Sequence, residues 1–263
     1  MNTCMSNNQN YRRFAEKLVQ EGGAIALRDF NQQKFNTEWK SDHSYVTQTD
    51  TEIETRFRSL LAETYPDHSI YGEEYGGSLD PSKPTWILDP LDGTTNFSHH
   101  IPLFCSMAAL QIDGKIVAAA VSSPIQGLLF SASLGAGATI NNEPFPKPSQ
   151  ATELDSITLL LDSGKSTNAR GDSYRFLSKA GNHFRSFRKF GCMVAPLLYA
   201  THGKLEATII FGVDLYDIAG LSLILSEAGY STLGKAGNQW QLTENSDFIV
   251  TTSSLKSKIE ALV

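Results

Sequence analysis

Hydrophobic positions along this 263-residue chain keep helical spacing first, then gather into short runs, then alternate between the two. From Tyr11, residues Phe14, Leu18, Ile25 and Leu27 recur loosely at helix spacing among Arg, Glu and Gln, predicting an opening helix. Gly22-Gly23 weakens the case for one continuous helix. The polar residues 1–10 before it read as a flexible tail. A second helix is expected from Thr51 to Tyr65, with Ile53, Phe57, Leu60 and Leu61 on one face and Pro66 as its stop. Thr85-Trp86-Ile87-Leu88 ends abruptly in Asp89-Pro90, the pattern of a buried strand meeting a loop. Ser106–Gln111 and Lys115–Ser122 flank Asp113-Gly114, which predicts a hairpin, and Gly127–Ser133 reads as a third strand of the same sheet.

Glu143–Pro148 carries three prolines in five residues and so belongs to no central strand or helix interior. It is read as a seam between an N-terminal lobe, 11–145, and a C-terminal lobe, 146–263, of one domain. Beyond it, strands at Ile157–Leu161, Phe184–Phe190, Leu205–Phe211 and Phe248–Thr252 alternate with helices at Asp172–Ala180, Cys192–Thr201, Tyr216–Ala228 and Ser254–Leu262. That alternation predicts a layered α/β fold.

Hydrophobic residues make up 41% and charged residues 19%, enough apolar material for a sizeable core, which excludes disordered and collagen-like classes. Twenty-two basic against 28 acidic side chains give a net charge of −6, which disfavours phosphate-driven nucleic-acid binding and a polybasic membrane anchor. The three cysteines (Cys4, Cys105, Cys192) are dispersed and form no CxxC pair, so a reducing interior is expected rather than a disulfide framework. There is no apolar run near the ~20 residues of a membrane helix, and the N-terminus lacks an apolar signal core. Together these predict a cytoplasmic protein.

The most informative segment runs from Trp86 to Phe97, WILDPLDGTTNF. Asp89 and Asp92 lie three residues apart at a strand end, Pro90 stiffens the link, Gly93 permits a tight turn, and Thr94-Thr95 can open a helix. Such a turn offers hard oxygen ligands to a divalent cation and amides to an anion beside it. The spacing does not fit the alternate acidic positions of an EF-hand. Taken singly, the other acidic candidates have structural readings: Gly72-Glu73-Glu74 as a solvated loop, Asp50 and Asp217 as helix caps.

Taken together, Val46-Thr-Gln-Thr-Asp50, Tyr71-Gly-Glu-Glu74, Trp86–Phe97 and Tyr216-Asp-Ile-Ala-Gly220 resemble the inositol monophosphatase superfamily of Mg²⁺-dependent phosphomonoesterases. The order and spacing match from about residue 11 to the C-terminus. The resemblance implies a five-layer α/β/α/β/α sandwich, commonly a homodimer and commonly lithium-sensitive. It implies that Glu73, Asp89, the Leu91 carbonyl, Asp92 and Asp217 hold two or three Mg²⁺ ions, with Mn²⁺ able to substitute. Glu73 and Thr94 would hold the attacking water, with Asp50 orienting Thr94. Asp92, Gly93, Thr94, Thr95, Gly191, Cys192, Met193 and Asp217 would contact a small phosphorylated metabolite. Physically, metal ions a few ångströms apart need several converging carboxylates, and the chain supplies them without His or Cys ligands, which favours Mg²⁺ over Zn²⁺.

The match departs where substrate is read. Cys192 and Met193 stand where the inositol enzymes carry a small hydroxyl residue and Ala, and Ile210 stands where they carry a polyol-binding Glu seven residues before the Asp. An apolar side chain there accepts no hydrogen bond, and an unpaired buried hydroxyl costs about 1–3 kcal/mol. Histidinol phosphate and fructose bisphosphate are therefore carried as alternative substrates, the former on the likeness of Lys40–Thr47 to histidinol-phosphatase-like members. A regulatory, protein-binding member with incidental activity is the alternative of another class. His99-His100 reads as loop, Cys192 as structural rather than nucleophilic, and Arg185, Arg188 and Lys189 as a strand face or an anion-attracting patch.

Overall fold

The computed structural model describes residues 2–33, 37–39, 45–80, 82–234, 237–238, 240–242 and 246–263, with side chains described from residue 7 onward, 37–39 excepted. The Lys40–Ser44 part of the histidinol-phosphatase likeness lies outside the described residues. Helices are α1 (Asn2–Asn31), α2 (Gln48–Thr64), α3 (Thr94–Ser98), α4 (Thr167–Ala180), α5 (Val194–Ala200), α6 (Leu215–Glu227) and α7 (Lys256–Glu260). Strands β1 (Thr37–Trp39) and β2 (Tyr45–Thr47) form a small antiparallel pair.

The first large sheet contains β3 (Ser69–Gly72), β4 (Gly76–Gly77), β5 (Thr85–Asp92), β6 (Cys105–Ile112), β7 (Lys115–Ser123), β8 (Leu128–Ser133), β9 (Ala138–Ile140) and β10 (Glu143–Pro144), in the order β10-β9-β8-β7-β6-β5-β3-β4. The second contains β11 (Thr158–Ser163), β12 (Ser186–Arg188), β13 (Ala207–Val213), β14 (Ser231–Leu233) and β15 (Ser246–Thr251), in the order β12-β11-β13-β15-β14. β3 runs parallel to β5, and β11 runs parallel to β12 and β13; the remaining neighbours are antiparallel. The Pro-rich stretch after Glu143 lies between the last strand of one sheet and the first of the other.

Strand alternation sorts the side chains into three cores. Trp86, Leu88, Ala108 and Leu110 pack with Leu18 of α1 and Phe57 of α2. The opposite face, Ile87, Met107 and Ala109, packs with Leu197 of α5, Ile218 and Leu221 of α6, and Leu160 and Ile210 of the second sheet. Leu159, Leu161 and Ile209 pack with Phe176 of α4 and Ile259 of α7. The result is the five-layer α/β/α/β/α arrangement expected.

One expectation at the N-terminus is corrected. Helix α1 passes through Gly22-Gly23 without a break and includes residues 2–10, read from the sequence as a tail. The glycines serve contact instead. A Cβ on Gly22 would lie 2.5 Å from Ser106 Oγ and 2.8 Å from Phe57, and one on Gly23 would lie 2.6 Å from Ser122 Oγ. Close helix–sheet approach thus offsets the helix-propensity cost of about 1 kcal/mol per glycine.

Candidate active site

Strand β5 is buried along its whole length and ends in the two aspartates. In an uninterrupted strand, residues three apart face opposite sides of the sheet. Here Asp89 pairs with Met107 and Asp92 with Cys105, with a bulge between them. Met107 and Cys105 are two apart and share a face, so the bulge brings both carboxylates to one side. Pro90 occupies the bulge, where no ladder donor is needed, and its carbonyl accepts from Ser106 Oγ at 2.6 Å. Gly93 then turns the chain in the left-handed region (φ 86°) and α3 begins at Thr94. A Cβ on Gly93 would lie 3.0 Å from the Leu103 carbonyl oxygen and 3.2 Å from Cys192 Sγ.

Glu73 follows β3, and its amide donates to the Leu88 carbonyl at 3.1 Å, so parallel pairing sets it beside the end of β5. Asp217 stands in the first turn of α6. Asp89, Asp92 and Asp217 each place a carboxylate oxygen within 4.8 Å of the other two. All four acids line one cleft of about 200 Å³. Asp89 is wholly buried, and neither of its oxygens has a hydrogen-bond partner. Burial first, then the charges of Glu73, Asp92 and Asp217, raises its pKa well above the carboxylate range. Asp217 is raised likewise, by burial and then by Glu73 and Asp92. Burial also lifts Asp92 to about 6, against hydrogen bonds from Cys192, Met193 and Cys105. Bare anions so placed are costly unless a cation joins them. This all-oxygen donor set fits a hard divalent ion.

One oxygen of Asp92 is fixed by three donors: Met193 N at 2.6 Å, Cys192 Sγ at 2.7 Å and Cys105 Sγ at 3.4 Å. Cys192 therefore sits buried behind the aspartate and is absent from the cleft lining, whereas Gly191 and Met193 line it. Burial pushes the Cys192 thiol up to about 12, which agrees with a structural cysteine and not a nucleophile.

Thr94 Oγ1 lies 3.0 Å from Asp50 Oδ1 and 2.9 Å from the Leu91 carbonyl, two acceptors for its single proton. Asp50 is the third residue of α2 in a capping box with Thr47: its Oδ2 accepts from Thr47 N at 2.8 Å and from Thr47 Oγ1. Expected as the cap of a helix starting at Thr51, Asp50 instead lies inside α2, whose N-cap is Thr47, and its capping-box contacts and its contact with Thr94 use different oxygens. Burial, chiefly, raises Asp50 to about 6.

Leu91, Gly93, Thr94 and Thr95 line the cleft as well. Ile210, offered as a substrate-reading position, does not; it is 1% exposed and packed in the middle core. His99 and His100 fall in the turn after α3, His100 against the Phe30 ring at 4.4 Å. Among the cleft residues that the sequence did not single out are two charged ones, Asp162 and Lys165. Asp162, at the end of β11, accepts from Gly191 N at 2.8 Å and faces Lys189 Nζ at 3.5 Å. Lys165 Nζ donates to Glu73 Oε1 at 2.6 Å. Burial alone would lower the Lys165 pKa, but Glu73, Asp217 and Asp89 override it and the net shift is upward. The available signal was positional: β11 is parallel to both neighbours, and ligands gather beyond the carboxyl ends of such strands.

The chain is similar to known proteins over most of its length. An inositol monophosphatase from Dictyostelium discoideum is 30% identical over 235 residues, covering 87% of this chain and 86% of its own. The Nus factor SuhB of Vibrio cholerae is 32% identical over 219 residues, 82% of this chain and 81% of its own. The crystal structure of the extragenic suppressor protein suhB from Bartonella henselae superposes with a TM-score of 0.84 at 26% identity, covering 94% and 95% of the two chains. The family model described as the inositol monophosphatase family matches residues 7–263, and the chain belongs to that family.

Proposed function

We propose that this protein is a Mg²⁺-dependent phosphomonoesterase acting on a small phosphorylated alcohol. The observation that carries the reading is Asp89, a fully buried carboxylate with two unpartnered oxygens, set among three more acids in one cleft. Glu73, Asp89, Asp92, Asp217 and the Leu91 carbonyl are the groups that would hold two or three Mg²⁺ ions. Once bound, the ions supply positive charge that acidifies water and stabilises the leaving oxygen.

The chain's own residues do the positioning. Asp50 accepts the Thr94 proton and so turns a Thr94 lone pair toward a water held between Thr94 and Glu73. That orients the water for in-line attack on phosphorus. Amides at Gly93, Thr94 and Thr95 face the phosphoryl oxygens. Met193 and Gly191 bound the alcohol portion, with the Asp162 carboxylate on the same wall. A cleft of about 200 Å³ suits a metabolite rather than a polymer. With Ile210 off the wall, its apolar character no longer argues against a polyol, so inositol phosphate rejoins histidinol phosphate and fructose bisphosphate as substrates to test. A cytoplasmic, lithium-sensitive homodimer completes the proposal. Among the described residues, no helix is long and apolar enough to cross a membrane.

Phosphate release from a panel of these monoesters, with Mg²⁺ and an Asp92→Asn control, tests the reading. Release that is absent, or equal in the control, rejects it. A second reading rests on the relative named as a Nus factor: a regulatory protein whose phosphatase activity is incidental. A stoichiometric macromolecular partner recovered equally by wild type and Asp92→Asn would favour it. The net charge of −6 makes a protein partner the better expectation than RNA.

A further inference from the structure

Lys165 is held in the carboxylate cleft by its backbone as well as by its charge. The Gly164 amide donates to the Phe211 carbonyl at 2.8 Å, the Arg170 guanidinium donates to the Lys165 carbonyl, and Ser166 caps α4 through the Ala169 amide at 3.1 Å. The chain on either side is thus pinned, and the ammonium reaches Glu73 at 2.6 Å with the Tyr216 ring centroid 5.9 Å away. At the side chain Glu73 is 7% exposed and Lys165 35%, so the carboxylate end of this ion pair is shielded from solvent while the lysine reaches it from the cleft mouth.

We propose that Lys165 is a tethered cation that competes with divalent metal for Glu73. This inference rests on the metal-dependent reading above. Without metal, one ammonium offsets part of the charge of four converging carboxylates and keeps the cleft assembled. A divalent ion ligated by Glu73 would face the ammonium at short range, where like charges repel strongly. Glu73 therefore exchanges one cation for the other. Binding at its position is weakened by the cost of displacing Lys165, and the metal-free protein is correspondingly stabilised.

Mn²⁺ titration followed by the electron paramagnetic resonance of the free ion tests this on wild type, Lys165→Gln and Lys165→Arg. Lys165→Gln is expected to bind Mn²⁺ about tenfold more tightly, with Lys165→Arg near wild type. In the Glu73→Gln background the gain should be smaller, since only Asp217 and Asp89 then act on the ammonium, and an undiminished gain overturns the competition for Glu73. The metal-free melting temperature of Lys165→Gln should fall below that of wild type, and saturating Mn²⁺ should close the gap. Equal Mn²⁺ affinity in wild type and Lys165→Gln overturns the inference while leaving the metal site standing. Absence of Mn²⁺ binding in both overturns the metal-dependent reading itself. Should Lys165→Gln fail to fold, pulse acetylation of wild type decides the matter. Mn²⁺ should raise labelling of Lys165 severalfold relative to exposed Lys115; unchanged or reduced labelling overturns the inference.

Discussion

Asp92 answers to two neighbourhoods at once, and single substitutions separate them. Its carboxylate belongs to the acidic cluster on one side and takes the donors Met193, Cys192 and Cys105 on the other. Asp92→Asn and Glu73→Gln are each expected to lower kcat at least about 100-fold with the circular dichroism spectrum unchanged. Cys192→Ala removes one orienting donor and should weaken metal binding about tenfold, with Cys192→Ser restoring most of it, as a hydroxyl can still donate. Equal activity in all three forms would show that the thiol does not position Asp92. The pH dependence has a definite sign. Asp92 is raised to about 6 in the metal-free fold, so its contribution favours the folded state at low pH and is lost as pH rises through about 6. The melting temperature of metal-free Asp92→Asn, which cannot titrate there, should rise relative to wild type from about pH 4 to about pH 6 and keep that advantage above. Asp89 and Asp92 stood out in the sequence because DPLDGTTNF is contiguous. Asp162 and Lys165 did not, because only the packing of β11 against the rest of the cleft brings them to Gly191 and Glu73.

At the scale of elements, the decisive features are departures from regularity. The β5 bulge converts an i, i+3 pair that a plain strand would split into a pair on one face. Nothing in the residue pattern alone announces that register shift, although Pro90 marks where it occurs. Gly93→Ala should cost about 1–2 kcal/mol of stability, since φ is 86° and the added Cβ meets Leu103 and Cys192. Its effect on kcat should exceed its effect on melting temperature, as the turn carries Asp92 and Thr94. Gly22→Val should cost more than about 1–3 kcal/mol, because its side chain would enter Ser106 and Phe57 rather than solvent. Denaturant unfolding measures both; a neutral Gly22→Val would mean that α1 does not depend on that close approach. The sequence pattern treats a double glycine as a helix breaker, and only the tertiary contact with β6 and β7 explains why the helix continues.

Across the whole molecule, the acids come from separate layers. Glu73, Asp89 and Asp92 lie at strand ends of the first sheet, and Asp217 lies on α6 between the sheets. The alternation of strands and helices after residue 157 was readable from periodicity, as was the β6–β7 hairpin. The joining of the two sheets across the α5–α6 layer was not, because it depends on which face of each strand meets which helix. Ile210 shows this: the linear spacing to Asp217 suggested a cleft position, yet its face of β13 packs into the middle core. Because metal would tie layers together, binding should stabilise the fold by about 2.7 kcal/mol at a hundredfold excess over Kd. Calorimetry with Mg²⁺ or Mn²⁺ against a chelator reads this as a melting temperature higher by on the order of 5 °C. No change would separate the cluster from metal binding. The most direct test is anomalous diffraction from a crystal soaked in Mn²⁺. Peaks bounded by the carboxylates of Asp89, Asp92 and Asp217 are the predicted result. A saturated crystal without density there, or with those acids turned away from one another, would contradict the account.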